Sequence, residues 1–250
     1  MEESDYIYGR HAVLEALRAC PERVNKLFIA EGTQGRAVRE IHELARRAKV
    51  VVKILPRKAL ERYAAGEVHQ GVAASVSPVE YAEPDELMHP YRNGNPALLL
   101  VLDSVTDPQN LGAILRTAEA VGVDGVYIPR HRAVGLTAMV AKHSAGASQF
   151  VPVARITNVA ATVDMLNGNG FQTVATTGDA QPTIYEIDLR PPTAIVIGSE
   201  GTGIRPLVQR KCTSSARIPM RGKISSLNAS AATAVVLYET LRQRTIANRG

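Results

Sequence analysis

The sequence predicts an α/β protein in two parts: a small N-terminal α/β domain and a larger C-terminal α/β domain with a mostly parallel sheet. Three observations predict it. Short apolar, β-branched runs alternate with stretches of helical spacing along the chain. Apolar residues make up 45% of the 250 positions, enough for a sizeable core. The stretch Ser77 to Pro96 holds Pro78, Pro84, Pro90 and Pro96 together with Gly94 and Asn95, the composition of a connection. The expected division is residues 1–78, a linker at 79–95, and residues 96–250.

The elements follow in order. Gly9 to Ala19 has helical spacing through Val13, Leu14 and Leu17. Val24 to Ala30 reads as a strand. Ala37 to Ala48 is helical, with Val38, Ile41, Leu44 and Ala45 on one stripe. Val50 to Leu55 is a strand, and Pro56 suits the first turn of a short helix. Gly71 to Val76 closes the first part as a strand. In the second part, Ala97 to Leu102 reads as a buried strand and Leu111 to Val121 as a helix facing inward through Leu111, Ile114, Leu115 and Ala118. Gly125–Ile128, Phe150–Val153, Thr173–Ala175 and Ala194–Ile197 are further strands. Ala216–Met220 is a short apolar strand, and Leu227 to Arg242 a long C-terminal helix. Strands alternating with helices imply a parallel sheet covered on both faces.

Composition narrows the function classes. No apolar run approaches a membrane span, and the acidic start (Glu2, Glu3, Asp5) lacks the pattern of a signal peptide. Cys20 and Cys212 are far apart, in no metal-type spacing, and read as reduced thiols of a cytoplasmic protein. The six histidines suggest no metal site. Net charge is +5, with +3 in residues 1–78, −3 in 79–95 and +5 in 96–250. Two basic bodies flank an acidic segment. Either this is an ordinary solvated surface or the partner is polyanionic.

Ligands of open α/β sheets bind beyond the carboxyl ends of strands. Three such ends carry unusual chemistry. After Leu102, the polar run Asp103 to Gln109 leads to Asn110, which opens a helix bearing Arg116. Asn110 is a cap and Arg116 a surface residue, or both belong to a site. After Ile197 comes Gly198-Ser199-Glu200-Gly201-Thr202-Gly203. In a dinucleotide fingerprint a glycine occupies the place that Glu200 takes here, and a carboxylate there would repel pyrophosphate. A ligand without phosphate and with a positive centre, such as S-adenosylmethionine, suits the loop better; the plain alternative is a glycine-rich turn before a short helix at Arg205-Pro206-Leu207. Third, Ile218-Pro219-Met220 leads through Arg221-Gly222-Lys223-Ile224-Ser225 to Ser226-Leu227-Asn228 at a helix start. Ser226 or Asn228 is a helix cap, or part of the same site.

In order, these clusters resemble the three motifs of the SpoU/TrmH branch of the SPOUT RNA ribose 2′-O-methyltransferases. Asn110-x-Gly112-Ala113-Ile114-x-Arg116-Thr117-Ala118 resembles the first, Gly198-Ser199-Glu200-Gly201-x-Gly203 the second, and Ile218-Pro219-Met220 with Ser226-Leu227-Asn228-x-Ser230 the third. Tyr8-Gly9-Arg10-His11-Ala12-Val13 and His69-Gln70-Gly71-Val72 resemble the N-terminal substrate-binding domain of members that methylate a guanosine ribose in 23S rRNA. The resemblance implies a C-terminal trefoil knot, a homodimer with the first motif near the subunit interface, and no metal. It implies S-adenosylmethionine held by Gly198, Ile218 and Leu227, with Ile197, Gly201 and Met220 beside them. It points to Arg116 as the residue acting on the 2′-hydroxyl, with Asn110, Glu200 and Asn228 orienting it and the ribose. The RNA partner, 23S rRNA or a pre-ribosomal particle, would be held by Arg10, His11, Arg46, Arg47 and Lys58, with Arg132 and Lys142 in the second domain. A tRNA substrate and a non-catalytic RNA-binding protein on the same scaffold are the competing readings.

Overall fold

The first tyrosine- and isoleucine-bearing run, Asp5–Tyr8, forms strand β1 in the computed structural model of the protein, which describes residues 5–64, 68–77, 80–223 and 226–247. Pro78, Ile224 and Ser225 lie outside the described residues. The chain divides into two units, Met1–Glu80 with Leu136–Gln149, and Tyr81–Gly135 with Phe150–Gly250.

The first unit continues with α1 (Arg10–Ala19), β2 (Val24–Ala30), α2 (Arg36–Arg47), β3 (Val51–Leu55), α3 (Arg57–Leu60) and β4 (Val72–Val76). Its sheet runs β1-β4-β2-β3; β4 is antiparallel to both neighbours, and β2 and β3 are parallel. The apolar stripes of both long helices cover one face. Val13, Leu14 and Leu17 of α1 and Val38, Ile41 and Ala45 of α2 pack over Ile7, Leu27, Ile29, Val72 and Ala74. The other face holds a smaller cluster of Phe28, Ala30, Leu60 and Ala73.

In the second unit a two-residue ladder, β5 (Tyr91–Arg92) with β6 (Asn95–Pro96), precedes β7 (Leu98–Asp103). Then come α4 (Pro108–Val121) and β8 (Gly125–Pro129). A short helix α5 (Ala138–His143) lies in the segment belonging to the first unit. The second unit resumes with β9 (Val153–Ile156), α6 (Val159–Gly168), β10 (Gln172–Thr176), β11 (Thr193–Gly198), α7 (Pro206–Lys211), β12 (Ser214–Ala216) and α8 (Ala229–Ala247). The sheet order is β12-β10-β11-β7-β8-β9, and every pairing is parallel. All six residues of β7 are buried, as expected of a central parallel strand covered on both faces. Among the described residues no helix is long and apolar enough to cross a membrane.

Prolines explain where the strands depart from expectation. The strand expected at Phe150–Val153 is found at Val153–Ile156: Pro152 has no N–H to give the ladder, and Phe150 is exposed. The strand expected at Ala216–Met220 stops at Ala216. The N–H of Arg217 turns to the carbonyl of Pro182 at 2.9 Å, and Pro219 has none. Ile218 and Met220 are thereby released from the sheet.

The strand order also places the site. From β7 the chain moves outward to β8 and β9, whereas from β11 it moves the other way, to β12. Adjacent strands whose connections diverge open a crevice at their carboxyl ends. Here those ends are Asp103 and Gly198, which are register partners.

Candidate active site

The loop after β11 folds back on itself. The N–H of Ser199 donates to the carbonyl of Gly203 at 3.2 Å, and the N–H of Gly203 returns to the carbonyl of Ser199 at 3.0 Å. The glycines make this closure possible in two ways. Gly201 and Gly203 have φ of 82° and 68°, in the left-handed region. At Gly198, a Cβ would lie 2.2 Å from the carbonyl carbon of Gly203 and 2.4 Å from the nitrogen of Ile204. No residue with a side chain fits there.

Three sequence-distant polar side chains meet beside the loop. Asn228 precedes α8, and its Oδ1 accepts the N–H groups of Ser230 at 2.9 Å and Ala231 at 3.3 Å, an ordinary helix cap. With Oδ1 committed, Nδ2 faces the other way and donates to Asn110 Oδ1 at 2.8 Å and to Glu200 Oε1. Asn110 Nδ2 donates to the same Glu200 oxygen at 2.9 Å. The sequence left open whether Asn228 is a cap or a site residue; its Oδ1 caps α8 while its Nδ2 joins Asn110 and Glu200 beside the cavity. Asn110 is not the cap of α4. That helix starts earlier, at Pro108, and Asp107 caps it by accepting the N–H of Gln109 at 3.0 Å. Asn110 is buried one turn inside, which frees its amide for Glu200.

A cavity of about 950 Å³ opens here, lined by the ends of β10 and β11, the glycine loop and the start of α8. All six residues expected at the cofactor, Ile197, Gly198, Gly201, Ile218, Met220 and Leu227, line it, as do Glu200 and Asn228. Met220 and Leu227 are partly exposed apolar side chains that a ligand there would cover. The hydroxyl oxygens of Thr176 and Thr177, also at the cavity, are buried without a hydrogen-bond partner among the described residues. A ligand with apolar and hydrogen-bonding parts fits these walls.

Two features escaped the sequence reading. One is the turn Thr176–Asp179 beyond β10, which forms one wall. The other is Asp103, fully buried, whose carboxylate accepts the backbone N–H of Arg205 at 2.9 Å and its guanidinium at 2.7–2.8 Å. An aspartate closing an apolar strand was the available signal for it.

Arg116 stands apart. It is exposed on α4, does not line the cavity, and has no hydrogen-bond or ion-pair partner among the described residues. The residues expected at RNA are also divided. Arg10, His11 and Lys58 follow β1 and β3 at the end of the first sheet where β4 begins, whereas Arg46 and Arg47 lie in the last turn of α2, toward the opposite end. Lys142 is exposed on α5 and Arg132 is exposed beyond β8. Neither cysteine offers a nucleophile, because burial pushes both thiols up to about 11.

A sequence model of the SpoU rRNA methylase family matches residues 97–238, and one for RNA 2′-O ribose methyltransferase substrate binding matches residues 6–82. The chain belongs to the SpoU rRNA methylase family. As a SpoU methylase it is an RNA methyltransferase that uses S-adenosylmethionine. Among its relatives, the 23S rRNA (guanosine-2′-O-)-methyltransferase RlmB of Pseudomonas aeruginosa is 44% identical over 98% of this chain and 99% of that one. The putative TrmH family tRNA/rRNA methyltransferase YacO of Bacillus subtilis is 42% identical over 97% of each. The SpoU methyltransferase AviRb from Streptomyces viridochromogenes, solved with AdoMet, superposes with a TM-score of 0.75 at 25% identity, covering 97% of this chain and 91% of that one. The A. aeolicus TrmH/SpoU tRNA modifying enzyme, 28% identical with a TM-score of 0.54, covers 66% of this chain and 82% of its own.

Proposed function

We propose that this SpoU methylase is a homodimer that methylates the ribose 2′-hydroxyl of a guanosine in 23S rRNA, either free or in a pre-ribosomal particle. The observation that carries the reading is the full-length likeness to a relative of that name, together with the substrate-binding model matched at residues 6–82. A tRNA substrate is the second reading, favoured by the name of the Bacillus relative. We propose that residues 1–78 hold RNA and that the transfer takes place within residues 96–250; of the expected linker 79–95, Tyr81 onward belongs to the second unit, and Leu136–Gln149 belongs to the first. Support for the knotted path comes from the strand order, in which β11 and β12 lie on either side of β10.

S-adenosylmethionine supplies an electrophilic methyl group on a sulfonium. The chain's task is to position the acceptor and to stabilise charge. Gly198, Ile218 and Leu227 hold the donor, with Ile197, Gly201 and Met220 alongside. Glu200, its Oε1 fixed by two amides, orients the ribose hydroxyl. Arg116 acts as a positive charge beside the developing alkoxide and not as a base, because a guanidinium is a poor proton acceptor; the hydroxyl proton leaves to solvent. Asn110 and Asn228 hold Glu200 in place. The basic side chains named above bind phosphates and set register without reading sequence.

The test is tritiated methyl incorporation into separated 23S rRNA and tRNA, with 2′-O-methyl mapping in cells with and without the protein. One guanosine of 23S rRNA should lose its methyl group when the protein is absent. Incorporation into tRNA alone would replace this reading with the second, and methylation of neither would end both.

A further inference from the structure

We infer that the loop Arg130–Val134, beyond β8, is a phosphate-binding platform for the RNA strand flanking the methylated ribose. The inference rests on the RNA methyl transfer proposed above and gives that site a direction.

Since all six strands are parallel, their carboxyl ends share one edge. Along it, β8 is the second neighbour of β11, so the Arg130 loop stands about 10 Å from the glycine loop, a reach of about one or two nucleotides. The loop reads Arg130-His131-Arg132-Ala133-Val134. Its three basic side chains are exposed, and none has a hydrogen-bond or ion-pair partner among the described residues. Exposed cations on a mobile tail would mean little, but this loop is fastened at both ends. The N–H of Arg130 donates to the carbonyl of Ile156 at 2.8 Å, and Arg155 donates to the carbonyl of Arg130 at 2.7 Å. The N–H of Val134 donates to the carbonyl of Val105 at 3.0 Å, tying the loop to the turn that leads into Asn110. Arg132 is held at φ 59°, a region sparsely used by residues with a Cβ. In the adjoining turn Asp103 is paired with Arg205, and Asp107, which caps α4, makes no ion pair with the loop's basic side chains among the described residues. Two arginines at fixed positions, with free guanidinium forks, suit phosphate oxygens.

The test uses the full-length Arg130→Gln/Arg132→Gln variant and a labelled in vitro transcript of 23S rRNA, with binding measured across a sodium chloride series. Each lost phosphate contact removes about 0.7 from the slope of log K against log salt on a single strand, so the slope should flatten by about 1.4. Extrapolated to 1 M salt the two proteins should bind alike, and at 0.1 M the variant should bind roughly 25-fold more weakly. The Arg130→Lys/Arg132→Lys variant should recover most of the slope. S-adenosylhomocysteine should bind the wild type and both variants equally by calorimetry. An unchanged slope overturns the inference, and so does a parallel loss of S-adenosylhomocysteine binding, which would make the loop a prop for the cavity. A wild type that binds the transcript but methylates no RNA would sink the proposed reaction, and the slope would still decide the loop.

Discussion

Asp103 and Arg205 are 102 positions apart in sequence, yet the buried carboxylate of one accepts both the backbone N–H and the guanidinium of the other. The first ends β7; the second follows the glycine loop that ends β11. The pair therefore fixes the two diverging turns to each other at the mouth of the crevice. Asp103 is fully buried while the Arg205 side chain is about half exposed, so the costs of losing each partner are unequal.

Asp103→Ala should lower unfolding stability by about 2–4 kcal/mol, since it strips an anchored N–H and a guanidinium of a buried acceptor. It should also weaken S-adenosylhomocysteine binding at least tenfold, because the glycine loop loses its tether. Arg205→Ala should cost at least as much, about 3–5 kcal/mol, because it leaves the fully buried Asp103 carboxylate with a backbone donor but no countercharge. Denaturant unfolding and calorimetry check both values. Equal donor affinity in Asp103→Ala would show that the loop holds its shape unaided.

Gly198 and Gly201 separate two kinds of glycine requirement. A methyl group at 198 would strike backbone atoms that have no room to yield, whereas one at 201 meets nothing within 4 Å and only strains φ. Gly198→Ala should raise the Kd for S-adenosylhomocysteine by roughly 100-fold or more. Gly201→Ala should cost about 1 kcal/mol of stability and alter binding by only a few-fold. If the two variants bind alike, loop closure at Gly198 is not what shapes the cavity.

Much of this was legible in the sequence because burial writes itself as periodicity. The runs at 98–102 and 194–197 and the stripe Leu111, Ile114, Leu115, Ala118 mark the sheet and its helix. The six residues expected at the cofactor came from the resemblance of the three motifs, and all six line the cavity. The fastening of Asp103 to Arg205 was not legible, because a contact spanning 102 residues leaves no local spacing to read. Nor was the wall at Thr176 and Thr177, two ordinary threonines at the end of β10 and just beyond it. Proline displaced two expected strand boundaries, at 152 and 219, by removing ladder donors.

Glu239 links acid stability to the docking of α8. It is buried, and its oxygens accept Arg242 and Gln243 at 2.8 Å; Gln243 in turn bonds the backbone of Ile187 and Leu189. Arg242 above all holds the carboxyl below the usual glutamate range. A depressed folded-state value means the stabilisation is complete above the unfolded value near 4.3 and is lost as pH falls through the folded one. Glu239→Gln should therefore be about 1–2 kcal/mol less stable than wild type at pH 7, and the gap should close as the pH drops below about 4. Melting temperatures over that pH range check it. A gap independent of pH would mean that the charge plays no part.

Arg116 lies six residues beyond Asn110, about 9 Å further along α4 and rotated by about 240°, so the two side chains leave the helix on different faces. Within one subunit the guanidinium does not line the cavity. We expect it to serve the partner subunit's site in the proposed symmetric pair. Arg116→Ala should lower kcat by about 100-fold or more while binding S-adenosylhomocysteine normally. Glu200→Ala should also be nearly inactive. If Arg116 acts across the interface, a subunit lacking Glu200 can lend its arginine to one lacking Arg116. Random reassociation of equal amounts makes half the dimers mixed, each with one complete site, so about one quarter of wild-type turnover should return. If Arg116 acts within its own subunit, no mixed dimer contains a complete site and turnover stays at the level of the single variants. Near-normal turnover in Arg116→Ala alone would remove the residue from the reaction altogether.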